Sequence, residues 1–364
     1  MPGPGIRLSH DFYRRHVGPL LAHVEHSAAL LGAGSEVLGF DDQVSTDHDF
    51  GPRLQIFLPA GADPGPALAA LTALPQEFHG YPVYFPSAFA DPGRPAPEPA
   101  HRVQVTTPEE YFTGWLGVDP ARGMALADWL LTPTQTLACL TGGAVFHDPA
   151  RRLAARRDAL AWYPDDVWRY ALAAGWLRIS QEHAFVGRTG SLGDEVGAAV
   201  LTARLARDLI RLAFLIEQRW APYGKWLDHG FRQLALGAPL RRELARALRA
   251  PSWREKEAAL CAAATIAGVA TNHLELATRV DPQPHRYYDR DIRVVDAEGF
   301  TTALTDAITD PQVLALLARL GRRAAGTGIP SLPGTVDQAA DNTDILTRVD
   351  RCRALAPALG LPQA

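Results

Sequence analysis

Hydrophobic and polar positions follow two different patterns along the chain, and the change comes near residue 108. Before that point the apolar residues occur in short runs, at 28–31, 54–58, 83–85 and 103–106. Runs of this length are typical of buried strands, and the Ala/Leu-rich segment 66–74 between them is typical of a helix. We also expect a first helix that is capped by Ser9 and broken at Pro19. This part of the chain predicts a small mixed sheet with flanking helices.

From residue 108 onward the apolar residues recur with the roughly 3.6-residue period of helices. One predicted helix, 194–219, carries an apolar stripe of leucines and a second stripe of arginines: Leu201, Leu205, Leu209 and Leu212, then Arg204, Arg207 and Arg211. Further helices are predicted at 108–116, 122–131, 133–141, 151–161, 165–186, 222–236, 239–249, 253–278, 299–307, 310–320 and 335–355. The chain is therefore predicted to be an α+β protein, with an N-terminal α/β domain over residues 1–120 and an all-α helical bundle over residues 121–364.

Composition narrows the class of protein. The formal net charge of −4 argues against a general nucleic-acid binder, which usually carries a basic excess. The 36 basic residues include only two lysines, Lys225 and Lys256, so each lysine is unusual here. The three cysteines lie far apart and form no CxxC pair, so we do not expect a disulfide framework. Because we find neither a signal-peptide pattern nor an apolar stretch of membrane-spanning length, a cytoplasmic protein is expected.

The strongest chemical pattern lies between residues 34 and 53. Gly34-Ser35 follows an apolar run, eleven residues separate Ser35 from Asp47, and Asp49 follows two residues after Asp47. A glycine lets the backbone approach a triphosphate closely, and a serine offers a hydroxyl and an N–H to phosphate oxygens. Two carboxylates at i and i+2 of an extended chain point to one side, where they can hold Mg²⁺. The alternative is that these Gly, Ser and Asp residues only form turns.

The spacing GS-x(11)-DxD resembles the signature of the DNA-polymerase-beta-like nucleotidyltransferase superfamily. The wider string GSEVLGFDDQVSTDHDFGPR, with further matches over most of the chain, resembles a bacterial family of unknown function within it. That family pairs a small nucleotidyltransferase domain with a helical C-terminal domain, as aminoglycoside adenylyltransferases do. The resemblance implies that Gly34 and Ser35 bind nucleotide phosphates and that Asp47 and Asp49 ligate one or two Mg²⁺ ions.

The superfamily usually has a third carboxylate on a later strand, and in this chain the expected position falls on Gln104. Glutamine can bind a metal or a hydroxyl through its carbonyl oxygen, but it cannot accept a proton as a general base. Three glutamates are alternatives for the role: Glu98, Glu109 and Glu110. The departure leaves two possibilities open: an enzyme that needs no base from this position, or a protein that binds nucleotides without turnover.

The helical half supplies further candidates. Lys225, in the segment APYGKW, is expected near a helix start, where a cation is locally unfavourable, so a phosphate clamp is one explanation and a surface lysine the other. Tyr223 is a candidate for stacking on a base or for packing. Arg188, Asp194 and Glu195 are candidates for binding an acceptor, while the simpler interpretation makes Asp194 a helix cap. The arginine stripe is expected to line an anionic pocket or to pair with acids, and a polar cluster follows near the C-terminus: Asp337, Gln338, Asp341 and Asp344.

Two functions of different class follow. The first is Mg²⁺-dependent transfer of a nucleoside monophosphate, most naturally AMP from ATP, to a hydroxyl or other nucleophile of a small molecule. The second is a nucleotide-binding or regulatory protein on the same fold. The expected partners are a nucleoside triphosphate and a small-molecule acceptor, with neither nucleic acid nor membrane, in a monomer or homodimer.

Overall fold

The chain divides into two compact units in the computed structural model, which describes residues 3–41, 51–85, 100–321 and 331–362. The first unit comprises Met1–Met124 and Thr136–Ala161, and the second comprises Ala125–Gln135 and Trp162–Ala364. The sequence-based boundary at residue 120 does not anticipate the return of the chain to the first unit. The physical reason for the return is that residues 136–161 contribute a strand to the sheet of that unit.

Short strands and helices alternate along the first part of the chain. Up to Ala161 the elements are α1 (Pro4–Phe12), a π-helical turn (Tyr13–Val17), α2 (Gly18–Leu20), β1 (Ser27–Leu30), α3 (Ser35–Leu38), β2 (Leu54–Phe57), α4 (Gly65–Leu71), β3 (Glu77–Phe78), β4 (Tyr81–Pro82), β5 (Tyr84–Phe85), β6 (Ala100–His101), β7 (Val103–Thr106), α5 (Pro108–Leu116), a 3₁₀ turn (Pro120–Arg122), α6 (Leu126–Leu131), α7 (Thr134–Thr141), β8 (Ala144–His147) and α8 (Arg152–Ala159). Of these, α6 and the start of α7 belong to the second unit.

A four-stranded mixed sheet organises the first unit, in the order β7-β2-β1-β8. Strand β1 is antiparallel to both of its neighbours, and β2 is parallel to β7, with Gln55 opposite Gln104. All four residues of β1 and of β2 are buried, as expected for central strands that read as continuous apolar runs. The predicted strands at 28–31, 54–58 and 103–106 are confirmed within one residue. β8 was not predicted, because its short run AVFH lies between helical patterns.

The first helix differs from the expectation. It begins at Pro4, so the prediction that Ser9 caps it is wrong: Ser9 is buried within α1. Proline suits the first helical position, and the Asp41 carboxylate accepts a hydrogen bond from the Gly5 N–H at 2.7 Å. Phe12 lies on this helix in the main apolar core, which it shares with β1, β2, α4 and β7.

The second unit is mainly helical. From Asp165 onward its elements are α9 (Asp165–Gly190), α10 (Glu195–Ile216), a 3₁₀ turn (Gly224–Trp226), α11 (Leu227–Phe231), α12 (Gly237–Arg249), α13 (Trp253–His273), β9 (His285–Arg286), β10 (Arg293–Val294), α14 (Ala297–Asp306), α15 (Pro311–Leu320), α16 (Val336–Ala339), α17 (Thr343–Leu346), α18 (Val349–Ala354) and a final 3₁₀ turn (Ala356–Leu359). Its core includes Trp176, whose ring stacks on Phe300 with centroids 4.4 Å apart.

Two details of the second unit correct the sequence-based expectation, although the α+β class is confirmed. The unit is not all-α, because β9 and β10 form a small antiparallel hairpin. The last predicted helix, 335–355, is three short helices instead of one. Local caps explain the breaks: Thr335 and Gln338 form a capping box at α16, and the Asn342 side chain accepts a hydrogen bond from Asp344 N at 2.9 Å to start α17. No helix of the described residues is long and apolar enough to cross a bilayer.

Candidate functional site

The Gly34-Ser35 turn lies at one edge of the sheet of the first unit. It follows β1, and β1 is antiparallel to β2, so the end of β1 lies beside the start of β2. Because β7 is parallel to β2, the start of β7 lies at the same edge. The turn, residues 51–53 just before β2 and the first residues of β7 are therefore neighbours in this unit.

Glycine is required at position 34. Its φ of +138° lies in a region that other residues rarely adopt, and a Cβ there would lie 2.3 Å from the Arg53 guanidinium and 2.5 Å from the Glu36 carboxylate. Gly34 is also the N-cap of α3, and no side chain caps that helix start. Ser35, half-buried, is the first helical residue. The turn thus presents backbone N–H groups and one hydroxyl, which are donors suited to phosphate oxygens.

Arg53 braces this turn from the residue just before β2. Its Nε donates to a Glu36 carboxylate oxygen at 2.7 Å, a terminal nitrogen lies 2.5 Å from the same oxygen, and the Ala33 carbonyl also accepts a hydrogen bond from Arg53. Both side chains are largely buried. Sequence reasoning missed this pair. Glu36 and Arg53 lie within the string GSEVLGFDDQVSTDHDFGPR, but the superfamily signature gives neither residue a role. The signal that was available is an arginine placed directly before a buried strand.

Gln55 is a second residue that sequence reasoning missed. It is buried within β2, and its side chain bonds to the backbone of Leu31, between β1 and the glycine turn. A polar residue inside the otherwise apolar run LQIFL was the available signal, since a buried amide needs partners.

Gln104 lies where the sequence placed it, on a strand next to β2. It is exposed, and it is opposite Gln55 in the register of β2 and β7. Its role in place of a third carboxylate stays a prediction. Of the alternatives, Glu98 lies outside the described residues. Glu109 and Glu110 follow the other end of β7: Glu110 completes a capping box with Thr107, and Glu109 pairs with Arg122 at 2.6 Å.

Asp47 and Asp49, the predicted metal ligands, lie outside the described residues, so their role stays a prediction. Within the ranges that are described, no three His, Cys, Asp or Glu side chains cluster closely enough to hold a metal ion. The three cysteines are buried, and burial raises the pKa of the Cys139 thiol to about 11. A buried thiol that stays protonated is neither a good nucleophile nor a good metal ligand.

The second unit contains Tyr223 and Lys225, the remaining nucleotide-binding candidates. The Tyr223 hydroxyl accepts a hydrogen bond from the Trp226 indole N–H at 2.7 Å, and its stacking on a base stays a prediction. Lys225 is exposed, and its Nζ lies 5.0 Å from the centroid of the Trp226 ring. The charged segment SWREKEA around Lys256 predicts a solvated helix face, and the structure differs from that prediction. Lys256 is buried in α13, and its ammonium group donates to the Ala250 carbonyl.

The three acceptor-binding candidates lie around the connection between α9 and α10. Asp194 caps α10, where its carboxylate accepts from Gly197 N at 2.7 Å, so the simpler interpretation of this residue is confirmed. Glu195 follows in the first turn, and Arg188 lies 5.2 Å over the Phe185 ring near the end of α9. All three are exposed. Their role toward an acceptor stays a prediction.

Comparison with known proteins gives two likenesses. A family model described as Domain of unknown function (DUF4037) matches residues 129–227, which agrees in part with the resemblance to a family of unknown function. A nucleotidyltransferase-like protein from Exiguobacterium sibiricum 255-15 is similar in structure, with 14% sequence identity, a TM-score of 0.34, and coverage of 88% of this chain and 97% of that chain. That likeness is coarse, and the fold described above rests on this chain's own sheet and helices. No curated protein matches the chain.

Proposed function

We propose that this protein is a Mg²⁺-dependent nucleotidyltransferase that moves a nucleoside monophosphate, AMP from ATP, to a hydroxyl or other nucleophile of a small molecule. The observation that carries the proposal is the edge of the sheet in the first unit. There the Gly34-Ser35 turn lies beside the start of β2, and the chain that immediately precedes Gly51 contains Asp47 and Asp49. Nucleotidyl transfer needs a phosphate-binding turn and metal-binding carboxylates, and the position of Asp47 and Asp49 in the sequence, shortly before β2, supports that pairing.

Each residue then has a chemical task. The N–H groups at the start of α3 and the Ser35 hydroxyl bind the β- and γ-phosphate oxygens, and the Arg53–Glu36 pair holds the turn in shape. Asp47 and Asp49 hold Mg²⁺, which when bound neutralises charge on the triphosphate and on the incoming oxygen. The acceptor oxygen forms a bond to the α-phosphorus, the bond from that phosphorus to the β-phosphate oxygen breaks, and pyrophosphate leaves. The acceptor proton passes to solvent or to a base of the chain.

A second candidate is a nucleotide-binding or regulatory protein without turnover. The observation that favours it is chemical: among the described strands β1, β2, β7 and β8, no residue is an aspartate or a glutamate. The position expected to supply a third carboxylate is Gln104, which cannot take a proton from the acceptor.

The two candidates are separated by incubating the full-length protein with ATP labelled at the α-phosphate, Mg²⁺ and a pool of small metabolites. Pyrophosphate release and label transfer are measured for the wild type and for Asp47→Asn. The matched control is Asp63→Asn, which changes an exposed acid of the same unit whose carboxylate accepts a hydrogen bond from Gly65 N.

Transfer that Asp47→Asn abolishes and Asp63→Asn retains supports the enzyme. Tight Mg-ATP binding without pyrophosphate release, weakened by Asp47→Asn alone, supports the second candidate. Failure of the wild type to bind any Mg-nucleotide overturns both.

A further inference from the structure

The second unit encloses a cavity of about 430 Å³ that is lined by an unusual number of arginines. It lies between α9, α10 and the segment 335–341. Its volume falls in the range of about 300–1,000 Å³ that is common for small-molecule sites. None of the residues discussed above for nucleotidyl transfer lines it.

The charge of the lining is positive. Five arginines and three aspartates line the cavity, which gives a formal excess of two positive charges: Arg178, Arg204, Arg207, Arg211 and Arg219, against Asp208, Asp337 and Asp341. Three of the arginines on α10 share one helix face because they are spaced by three and four residues. The sequence left open whether this stripe lines an anionic pocket or pairs with acids; in the structure its arginines line this cavity and also pair with acids.

The ion pairs account for only part of this positive charge. Both Arg178–Asp208 contacts measure 3.3 Å, and Arg207 pairs with Asp341. Arg211 approaches Asp337 at 3.6 Å and donates to its carbonyl at 2.9 Å.

The remaining two arginines of the lining differ. Arg204 pairs at 2.7 Å with Glu182, an acid that is not part of the lining. Arg219 is exposed and makes no ion pair with the described part of the chain. An excess of positive charge therefore remains in the lining even when Glu182 is counted.

Two buried donors on residues of the same lining have no hydrogen-bond partner in the part of the chain that the structure describes. The Tyr163 hydroxyl and the Arg211 Nε are both buried without a hydrogen bond to any described residue, and Tyr163 is only 4% exposed. Burial, and secondarily the negative charge of Asp337, raises the pKa of this tyrosine, so its hydroxyl stays protonated. Buried donors are almost always paired in folded proteins, so two unpaired donors on lining residues favour an acceptor that enters the cavity and reaches them when the lining side chains adjust.

We propose that this cavity binds a small organic anion, a phosphate monoester or a carboxylate, whose oxygens accept from Tyr163 and the arginines. Three apolar residues of the same lining, Leu212, Phe214 and Leu215, would contact its carbon skeleton, which favours an organic anion over an inorganic one. Arginine suits this task because its planar donors match carboxylate and phosphate oxygens. The proposal does not depend on nucleotidyl transfer, because it involves neither Mg²⁺ nor a nucleotide.

The test is calorimetric titration of the full-length protein, without Mg²⁺ or nucleotide, using glucose 6-phosphate, citrate, inorganic phosphate and glucose. Tyr163→Phe removes only the unpaired hydroxyl, so it should leave the fold intact and weaken anion binding by about tenfold. Its control is Tyr170→Phe, a buried tyrosine of α9 that does not line the cavity. Arg219→Gln should also weaken binding, and Arg249→Gln, an exposed arginine of α12 outside the lining, should not.

Saturable binding of glucose 6-phosphate or citrate that both cavity variants weaken and both controls retain supports the proposal, and the preferred probe identifies phosphate or carboxylate as the ligand group. Binding should also weaken as salt concentration rises. The proposal is overturned if no anion binds at millimolar concentration, if glucose binds as well as its phosphate, or if Tyr163→Phe and Arg219→Gln leave binding unchanged.

Discussion

The side chain of Gln55 forms two hydrogen bonds with the backbone of Leu31: its Oε1 accepts from Leu31 N at 2.9 Å, and its Nε2 donates to Leu31 O at 3.3 Å. One side chain of β2 thereby satisfies both backbone groups of Leu31, which lies between the end of β1 and the glycine turn. The contact ties the candidate phosphate-binding turn to the strand that follows Asp47 and Asp49. The geometry of the turn therefore depends on a glutamine that has no direct part in the proposed chemistry.

We expect Gln55→Glu to destabilise the first unit by about 2–4 kcal/mol at pH 7. The carboxylate can still accept from Leu31 N, but it cannot donate to Leu31 O, and it places a negative charge in a buried site. Denaturant unfolding of the variant and of the wild type measures the difference. Gln104→Glu is the matched control, because Gln104 is exposed and opposite Gln55 on the next strand; it should change stability by about 0.5 kcal/mol or less.

The same Gln104→Glu variant tests the proposed reaction. If turnover is limited by the missing proton acceptor on β7, a carboxylate there should raise pyrophosphate release by about tenfold or more, since general-base catalysis contributes roughly 10²–10⁴-fold. The measurement is pyrophosphate release with Mg-ATP and the metabolite pool, with Gln104→Ala as the comparison. An unchanged rate in Gln104→Glu would show that position 104 does not correspond to the third carboxylate of the superfamily.

The two lysines should differ in what their loss affects. Lys225→Ala is expected to weaken Mg-nucleotide binding by about tenfold, as the loss of one phosphate contact would, with little change in stability because Lys225 is exposed. Lys256→Ala is expected to cost about 1–3 kcal/mol of stability, because it removes a buried side chain and its hydrogen bond to Ala250 O, and to leave nucleotide affinity unchanged.

Titration of each lysine variant with Mg-ATP, together with its unfolding curve, separates the two expectations. Equal losses of nucleotide affinity in Lys225→Ala and Lys256→Ala would show that the position of Lys225 in the segment APYGKW has no bearing on the nucleotide.

The sequence predicted the elements whose signal is local. β7 and the helix α5, capped by Thr107 and Glu110, lie where the apolar runs and the periodicity put them. What the sequence did not predict depends on partners far along the chain. The carboxylate that caps the first helix is Asp41, and β8 is a strand because β1 pairs with it.

The candidate site divides in the same way. The motif residues Gly34 and Ser35 are recognisable in sequence, and Gly34 has the backbone conformation that only glycine adopts readily. Arg53 and Gln55 stand out only faintly in the sequence, and their part in holding the turn is shown by their contacts with Glu36 and Leu31. The cavity in the second unit could not be predicted from the sequence either, because the α10 arginines contact Asp337 and Asp341, which lie more than a hundred residues away along the chain.

His183 makes the stability of the second unit depend on pH. It is 3% exposed, its Nε2 lies 3.8 Å from the Cys261 sulfur, and burial, with a smaller contribution from His285, lowers its pKa to about 4. In the unfolded chain a histidine titrates near 6.5, so between about pH 6.5 and 4 the unfolded state binds the proton more readily than the folded state. The stability that depends on neutral His183 should therefore be fully present above about pH 6.5. The free energy of unfolding should fall by on the order of 3 kcal/mol as the pH drops to 4.

The measurement is the free energy of unfolding at several pH values between 4.5 and 7.5, for the wild type, His183→Gln and His273→Gln. His183→Gln has no proton to gain at this site, so its stability should change less steeply over the acid range, even if it is lower at pH 7. His273 is exposed at the end of α13, and its replacement should leave the slope unchanged. A wild-type slope that His183→Gln reproduces in full would mean that other groups, such as His26, whose pKa is also lowered by burial, account for the acid sensitivity.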